Sequence, residues 1–276
     1  MYERTAGPGD GQWTLYPEGT PAADAILARA DVHPDRFKHF VFVTLIAADL
    51  RRVSLGLVAG TQEPDTKTVA AERRTGLVPA ADQADLVAVF NGAFMAKHGK
   101  HGMMLDGDVF LPPKEDSCTI AFGKDGRVRI ASWPTIAPGA GSLAAYRQSP
   151  LCLVEQGTVA PELLAETRVG RWGAAEGGKR DVRRSALCLD KSGQVLFYAF
   201  GDDLTAPVLA QALAHAGGVD CAELDINWSY TRFFLVDHST SPPTLGATLV
   251  RKLEYSKQTY LTKPYFKDFF YLKHKR

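Results

Sequence analysis

The sequence predicts an α+β protein built on a mixed, mostly antiparallel sheet flanked by helices. Three observations point that way: short β-type runs recur along the chain, tight Gly-containing turns join two pairs of them, and there is one good strand–helix–strand unit. Strands are expected over residues 39–47, 52–58, 85–90, 118–122, 127–132, 184–189, 194–200, 222–226 and 232–236. Many of these are rich in β-branched or aromatic residues and bounded by Gly, Asp or Pro. The turns Lys124-Asp125-Gly126 and Asp190-Lys191-Ser192-Gly193 each carry a Gly able to supply positive φ where a strand reverses. The clearest helix runs from a Thr205 cap through Val208, Leu209, Ala212 and Leu213 to Gly217, with one apolar face. Shorter helices are expected over residues 22–30 and 66–74, and loops over 134–142 and 168–180.

Of the 276 residues, 45% are hydrophobic and 23% charged, which is enough to bury a sizeable core. No composition shift marks a domain boundary. The chain therefore reads as one domain over residues 38–276, with a linker-like N-terminal segment, residues 1–37, packing on it. A formal net charge of +1 excludes nucleic acid as the main partner, because phosphate-backbone binding needs a large basic excess. The best apolar run, 40–48, is far short of the ~20 residues of a membrane span. The opening MYERTAGPGDGQW lacks the basic-then-apolar pattern of a secretory signal and resembles a linker. It is expected to follow a missing N-terminal targeting or anchoring segment, which would be the protein's only link to a membrane. The four cysteines, Cys118, Cys152, Cys188 and Cys221, form no CxxC pair, so a structural zinc site is not expected. They read as buried thiols, with one or two disulfides as the alternative if the protein is exported.

Three polar stretches lie at or just after apolar strands, where sheet scaffolds carry sites. After the strand ending at Asn91, Gly92 permits a close backbone approach, and Lys97, His98, Lys100 and His101 follow as anion-binding candidates. The spacing of His98 and His101 leaves a divalent cation open, although no neighbouring carboxylate completes the set. Arg183 and Arg184 enter an apolar strand, and each guanidinium must find solvent, a carboxylate or a ligand. In Glu223-Leu224-Asp225-Ile226-Asn227-Trp228, strand alternation puts Glu223, Asp225 and Asn227 on one face, followed by Trp228 and Tyr230. Paired carboxylates with aromatics suit sugar recognition and glycosidic hydrolysis.

In this order and spacing, the stretches resemble the phosphodiester glycosidase family. The family's Asn-Gly-Gly-Phe-Phe is matched by Asn91-Gly92-Ala93-Phe94-Met95, and its Asp-Gly by Asp106-Gly107. Its Arg-Ser/Thr-Ala-Ile/Leu-Gly is matched by Arg184-Ser185-Ala186-Leu187-Cys188, and its Leu-Asp-Gly-Gly-Gly-Ser by Leu224-Asp225-Ile226-Asn227-Trp228-Ser229. LDIN in place of LDGG, together with the closing KPYFKDFFYL, is similar to a divergent bacterial branch whose members often carry an N-terminal anchor before an extracytoplasmic domain. The resemblance covers residues 38–240 and implies a phosphodiester glycosidase-like fold and hydrolysis of a sugar-1-phosphodiester in a cell-envelope or exported glycan.

The resemblance also implies roles. Asp225 would be nucleophile or base, with Asp106 a second carboxylate and His98 or His101 a proton donor. Asn91, Gly92, Glu223, Asn227 and Trp228 would contact the sugar, and Lys97 and Arg184 the phosphate. The expected partner is a carbohydrate or sugar phosphate, and no cofactor is required. Two other readings stand beside this one. One is a non-catalytic carbohydrate- or cell-envelope-binding domain on the same scaffold, favoured by the altered glycine motif. The other is a metal-dependent phosphodiesterase using His98, His101 and Asp225.

Overall fold

A computed structural model describes residues 6–165 and 169–276. Three sheets carry the architecture, and their strand ladders are all antiparallel. The largest runs, in spatial order, through β1 (Thr14–Tyr16), β2 (Leu27–Val32), β3 (Val43–Asp49), β14 (Val195–Leu204), β13 (Val182–Asp190), β15 (Gly218–Glu223), β11 (Val154–Glu155) and β12 (Thr158–Val159). The second orders β7 (Asp108–Leu111), β6 (Met103–Leu105), β10 (Leu143–Ser149), β8 (Cys118–Gly123) and β9 (Val128–Ser132). The third orders β17 (Thr244–Thr248), β16 (Phe233–Asp237), β5 (Leu86–Asn91), β18 (Phe269–His274) and β4 (Val53–Val58).

The fold is more β than the α+β expectation. Of the α-helices α1 (Ala80–Gln83), α2 (Trp133–Ile136), α3 (Pro161–Leu164) and α4 (Ala206–His215), α4 alone exceeds four residues among the described residues. It begins where Thr205 accepts the Val208 N–H, and Gly217 takes a φ of 93° just past its end. The expected helix over 22–30 instead runs into β2, whose Leu27, Ala30 and Val32 are buried and paired in register with β3. Pairing and burial there outweigh the helical preference of the alanines. Over 66–74 only the 3-10 turn Ala71–Arg73 forms. The expected 134–142 loop holds short helical turns, as does its 168–180 counterpart, in which Arg168 lies outside the described residues. The segment before residue 38 supplies β1 and β2 to the large sheet.

Strand β13 is buried almost throughout because both its faces are covered. Leu187 and Leu189 enter the central core, where they join Ile120 and Ile130 of the second sheet and Phe90, Phe233 and Phe270 of the third. Ala186 and Cys188 face the other way, packing with Leu209 and Leu213 of α4. β14, α4 and β15 form the anticipated strand–helix–strand unit, with β13 hydrogen-bonded between its two strands.

The cysteines are not free thiols. Cys118 bonds Cys152, and Cys188 bonds Cys221 across the register pair of β13 and β15. Two disulfides belong to an oxidising compartment and point to an extracytoplasmic location. Among the described residues, no helix is long and apolar enough to cross a membrane. The bridges span 34 and 33 residues of sequence, so each is expected to contribute about 3–4 kcal/mol by restricting the unfolded chain. Replacing Cys118 and Cys152 by Ser should lower the unfolding free energy by about that amount in a urea titration. An unchanged midpoint and slope would rule out this contribution.

Candidate functional site

The site forms where β5, β14 and β15 end and β13 and β18 begin, and a buried polar frame sets its geometry. Asn91 is the hub. Its Nδ2 donates to Ser185 Oγ at 2.9 Å and Gly92 O at 3.0 Å, while its Oδ1 accepts from Tyr198 OH at 2.9 Å and the Arg232 N–H at 3.0 Å. Ser185 in turn donates to the Asp225 carbonyl at 2.8 Å. The Asn91 amide has thus used both donors and both acceptor positions to join strand ends, leaving none for the sugar assigned to it from sequence. Gly92 is likewise needed for packing: a Cβ there would run into the carboxylate and backbone of Asp268.

Asp268 and Arg147 form a fully buried ion pair. The Asp268 carboxylate accepts from Arg147 Nε at 2.9 Å, Arg147 Nη2 at 3.2 Å and the Ala93 N–H at 3.0 Å. The guanidinium also donates to the carbonyls of Phe94, His101 and Gln148. This multiply bonded pair ties the loop after β5 to β10 and to the start of β18. The neighbouring residue, Lys267, is thereby placed against Asp225.

Asp225 and Lys267 are 3% and 2% exposed and ion-paired. Asp225 Oδ1 also accepts the Ile226 N–H at 2.9 Å, and the Lys267 ammonium lies 4.1 Å from the centre of the Tyr230 ring, a cation–π contact. Burial pulls the Lys267 ammonium down to about 8, with Asp268 opposing the shift. Asp225 opens onto a cleft of about 260 Å³, lined also by Phe94, His98, Arg171, Asn227 and Tyr230. Burial, Lys97 and Lys267 hold His98 below the ordinary imidazole range. Arg171 reaches the cleft while paired to Asp116. Asn227 sits at φ 74°, a left-handed conformation that Asn tolerates, where the family motif has Gly.

Asp225, His98 and Asn227 therefore come together, and several other sequence-derived candidates stand elsewhere. Arg184 shares the face of Ala186 and Cys188, the side of β13 under α4. Its five N–H groups are spent on the carbonyls of Leu204, Trp172, Gly173 and Arg180 and on Glu223 Oε1 at 2.6 Å. No donor remains for a phosphate. Glu223 is its buried partner, and burial pushes that carboxyl up to about 7 against the pull of Arg184. The shared face expected for Glu223, Asp225 and Asn227 fails because β15 ends at Glu223 and alternation stops there.

Asp106 lies exposed in the tight β6–β7 turn with φ 48° and does not line the cleft. His101 is buried with Nδ1 2.9 Å from Ser117 Oγ, and burial and Arg147 pull it down to about 3. Lys97 is exposed beside His98, and Trp228 is 63% exposed outside the cleft lining. Among the described residues, no group of three His, Cys, Asp or Glu is arranged to hold a metal ion. The expected His98–His101–Asp225 set therefore does not fit a divalent cation. Lys267 and Arg171 went unread in the sequence, Ser185 was named there only within the Arg-Ser-Ala motif, and Tyr230, expected as a sugar-facing aromatic, does line the cleft. The signal for Lys267 was a Lys-Asp pair entering the apolar run FFYL, where both charges need buried partners.

Removing one member of a buried pair leaves an uncompensated charge. Asp268→Ala is expected to cost about 3–5 kcal/mol in chemical denaturation, whereas Asp106→Asn, which keeps a residue tolerant of the positive φ in that turn, should stay within about 0.5 kcal/mol of the parent. Equal stability of the two variants would refute the framing role of Asp268.

No family model and no curated protein sequence matches the chain. Solved structures do match. The zebrafish N-acetylglucosamine-1-phosphodiester alpha-N-acetylglucosaminidase catalytic domain, auto-inhibited by its pro-peptide, superposes with a TM-score of 0.56 at 17% identity, covering 96% of this chain and 88% of that one. A hypothetical protein from Synechocystis gives a TM-score of 0.55 at 11% identity, over 90% of this chain and 62% of that chain. At these identities the likeness establishes the fold: this chain has the architecture of that glycosidase catalytic domain.

Proposed function

We propose that the protein is a phosphodiester glycosidase-like hydrolase that cleaves the bond between a sugar's anomeric carbon and a phosphodiester oxygen. The observation that carries this reading is that Asp225, backed by the buried Lys267, opens with His98 and Arg171 onto one cleft. A carboxylate faces the space where an anomeric carbon would sit, and cations adjoin it. Water adds its oxygen to the anomeric carbon and gives its proton to Asp225. The C–O bond breaks with its electron pair leaving on the phosphate, giving a free sugar and a phosphate monoester. A phosphate monoester departs with little acid assistance, so Lys267 and Arg171 serve by stabilising negative charge. With its pKa lowered, His98 is neutral near pH 7 and contributes a hydrogen bond rather than a formal proton. Asn227 and Phe94 shape the sugar end. The proposed substrate is a sugar-1-phosphodiester in a periplasmic or cell-surface glycan.

The non-catalytic alternative draws on Trp228, whose 63% exposure follows directly after Asn227 and suits stacking on a sugar. Turnover separates the readings. Against a panel of sugar-1-phosphodiesters, Asp225→Asn should lower kcat/KM by about 10²–10⁴-fold while the protein stays folded. Equal turnover by mutant and parent would remove Asp225 from the chemistry, and sugar-phosphate binding without turnover by the parent would favour the binding module. The parent's kcat/KM should fall as pH rises through about 8, where Lys267 loses its proton, and Lys267→Met should lose that alkaline limb. Persistence of the limb in Lys267→Met would assign it to another group.

A further inference from the structure

A second cleft lies at the far end of the molecule, between the β3–β4 turn, the β8–β9 hairpin, the β13–β14 turn and the residue after β18. At about 500 Å³ it is roomier than the Asp225 cleft. Four cationic side chains line it, Arg51, Arg127, Arg129 and Lys275, and no carboxylate does. Arg51 is bonded to Asp49, and Arg127 stands 3.6 Å from Asp125. Arg129 has no ion-pair partner among the described residues, and Lys275 Nζ donates to the neutral carbonyl of Leu50 at 2.6 Å. The cleft thus keeps an excess of positive charge in a chain whose overall charge is only +1. Ser54, Ser192 and Gln194 add uncharged polar groups to its wall.

We infer that this cleft is a binding site for a linear phosphate-rich polyanion, separate from the Asp225 cleft. Concave walls with one sign of charge concentrate a polyanion's field and release its counterions on binding. The lining has no aromatic ring: its apolar members are Leu50, Val53, Leu55 and Val128. Proteins that grip single-stranded nucleic acid stack bases on aromatic rings, so the cleft fits a chain without bases, such as a phosphodiester-linked polyol or sugar. The cations come from three separate segments, Arg51 from one turn, Arg127 and Arg129 from the hairpin and Lys275 from the end of β18, so several phosphates in a row match them better than one.

The test is binding by the full chain to inorganic polyphosphate at low salt, with single-stranded oligothymidylate as comparator. Polyphosphate should bind, with affinity falling as salt rises, and the doubly substituted Arg127→Gln, Arg129→Gln protein should bind at least ~10-fold more weakly. Asp225→Asn should bind polyphosphate as the parent does, which keeps this result independent of the hydrolase reading. No polyphosphate binding by the folded parent, or equal binding by parent and double variant, overturns the inference. Tighter binding of oligothymidylate than of polyphosphate, lost in the double variant, overturns it in favour of nucleic acid.

Discussion

The buried pair of Arg147 and Asp268 is the constraint on which the site depends. Two charges removed from water persist only where every remaining polar position is filled. Arg147 meets this condition with three backbone carbonyls, and Asp268 with the Ala93 N–H. The bonds fix the loop after β5 against the start of β18, so residue 267 has one place to go, beside Asp225. Gly92 completes the arrangement, because any side chain there would push Asp268 away. The placement of Lys267 against Asp225 thus rests on a charge pair outside the cleft lining.

Arg184 and Glu223 form a second buried pair on the other side of β13, less completely bonded because Glu223 Oε2 has no hydrogen-bond partner among the described residues. There the pair anchors the loop carrying Trp172 and Gly173 to the strand, and the same loop carries Arg171 into the cleft. Two buried arginines therefore brace two loops, and the cleft lies between them. A guanidinium with five directed donors suits this work, since it can hold several carbonyls at once. The motif Arg-Ser-Ala-Leu divides by strand parity: Arg184 braces the outer face and Ser185 reaches inward to Asn91 and Asp225.

Much of the fold was legible because β-type runs, turn glycines and the Thr205–Gly217 helix are local signals. β2 was misread as helix because an alanine-rich segment carries little local information and its state depends on pairing with β3. β10 and β18 were missed for a related reason, each being placed by neighbours distant in sequence. At the site, Asp225, His98 and Asn227 were readable from motif spacing. The roles of Asn91, Arg184 and Glu223 were not, because a sequence cannot say whether a polar side chain's bonds go to a ligand or to the backbone. The Lys267-Asp268 pair signals buried charge locally, but the partner of Lys267 was not legible because its contact joins residues 225 and 267, far apart in sequence.

The central claim is that Asp225 and Lys267 form the reaction centre around a sugar phosphate. A crystal structure of the protein soaked with a sugar 1-phosphate tests it most directly. The account predicts the sugar ring in the cleft with its anomeric carbon facing Asp225 and the phosphate beside Lys267 and Arg171. A sugar phosphate bound elsewhere, with the Asp225 cleft holding only solvent, would contradict it.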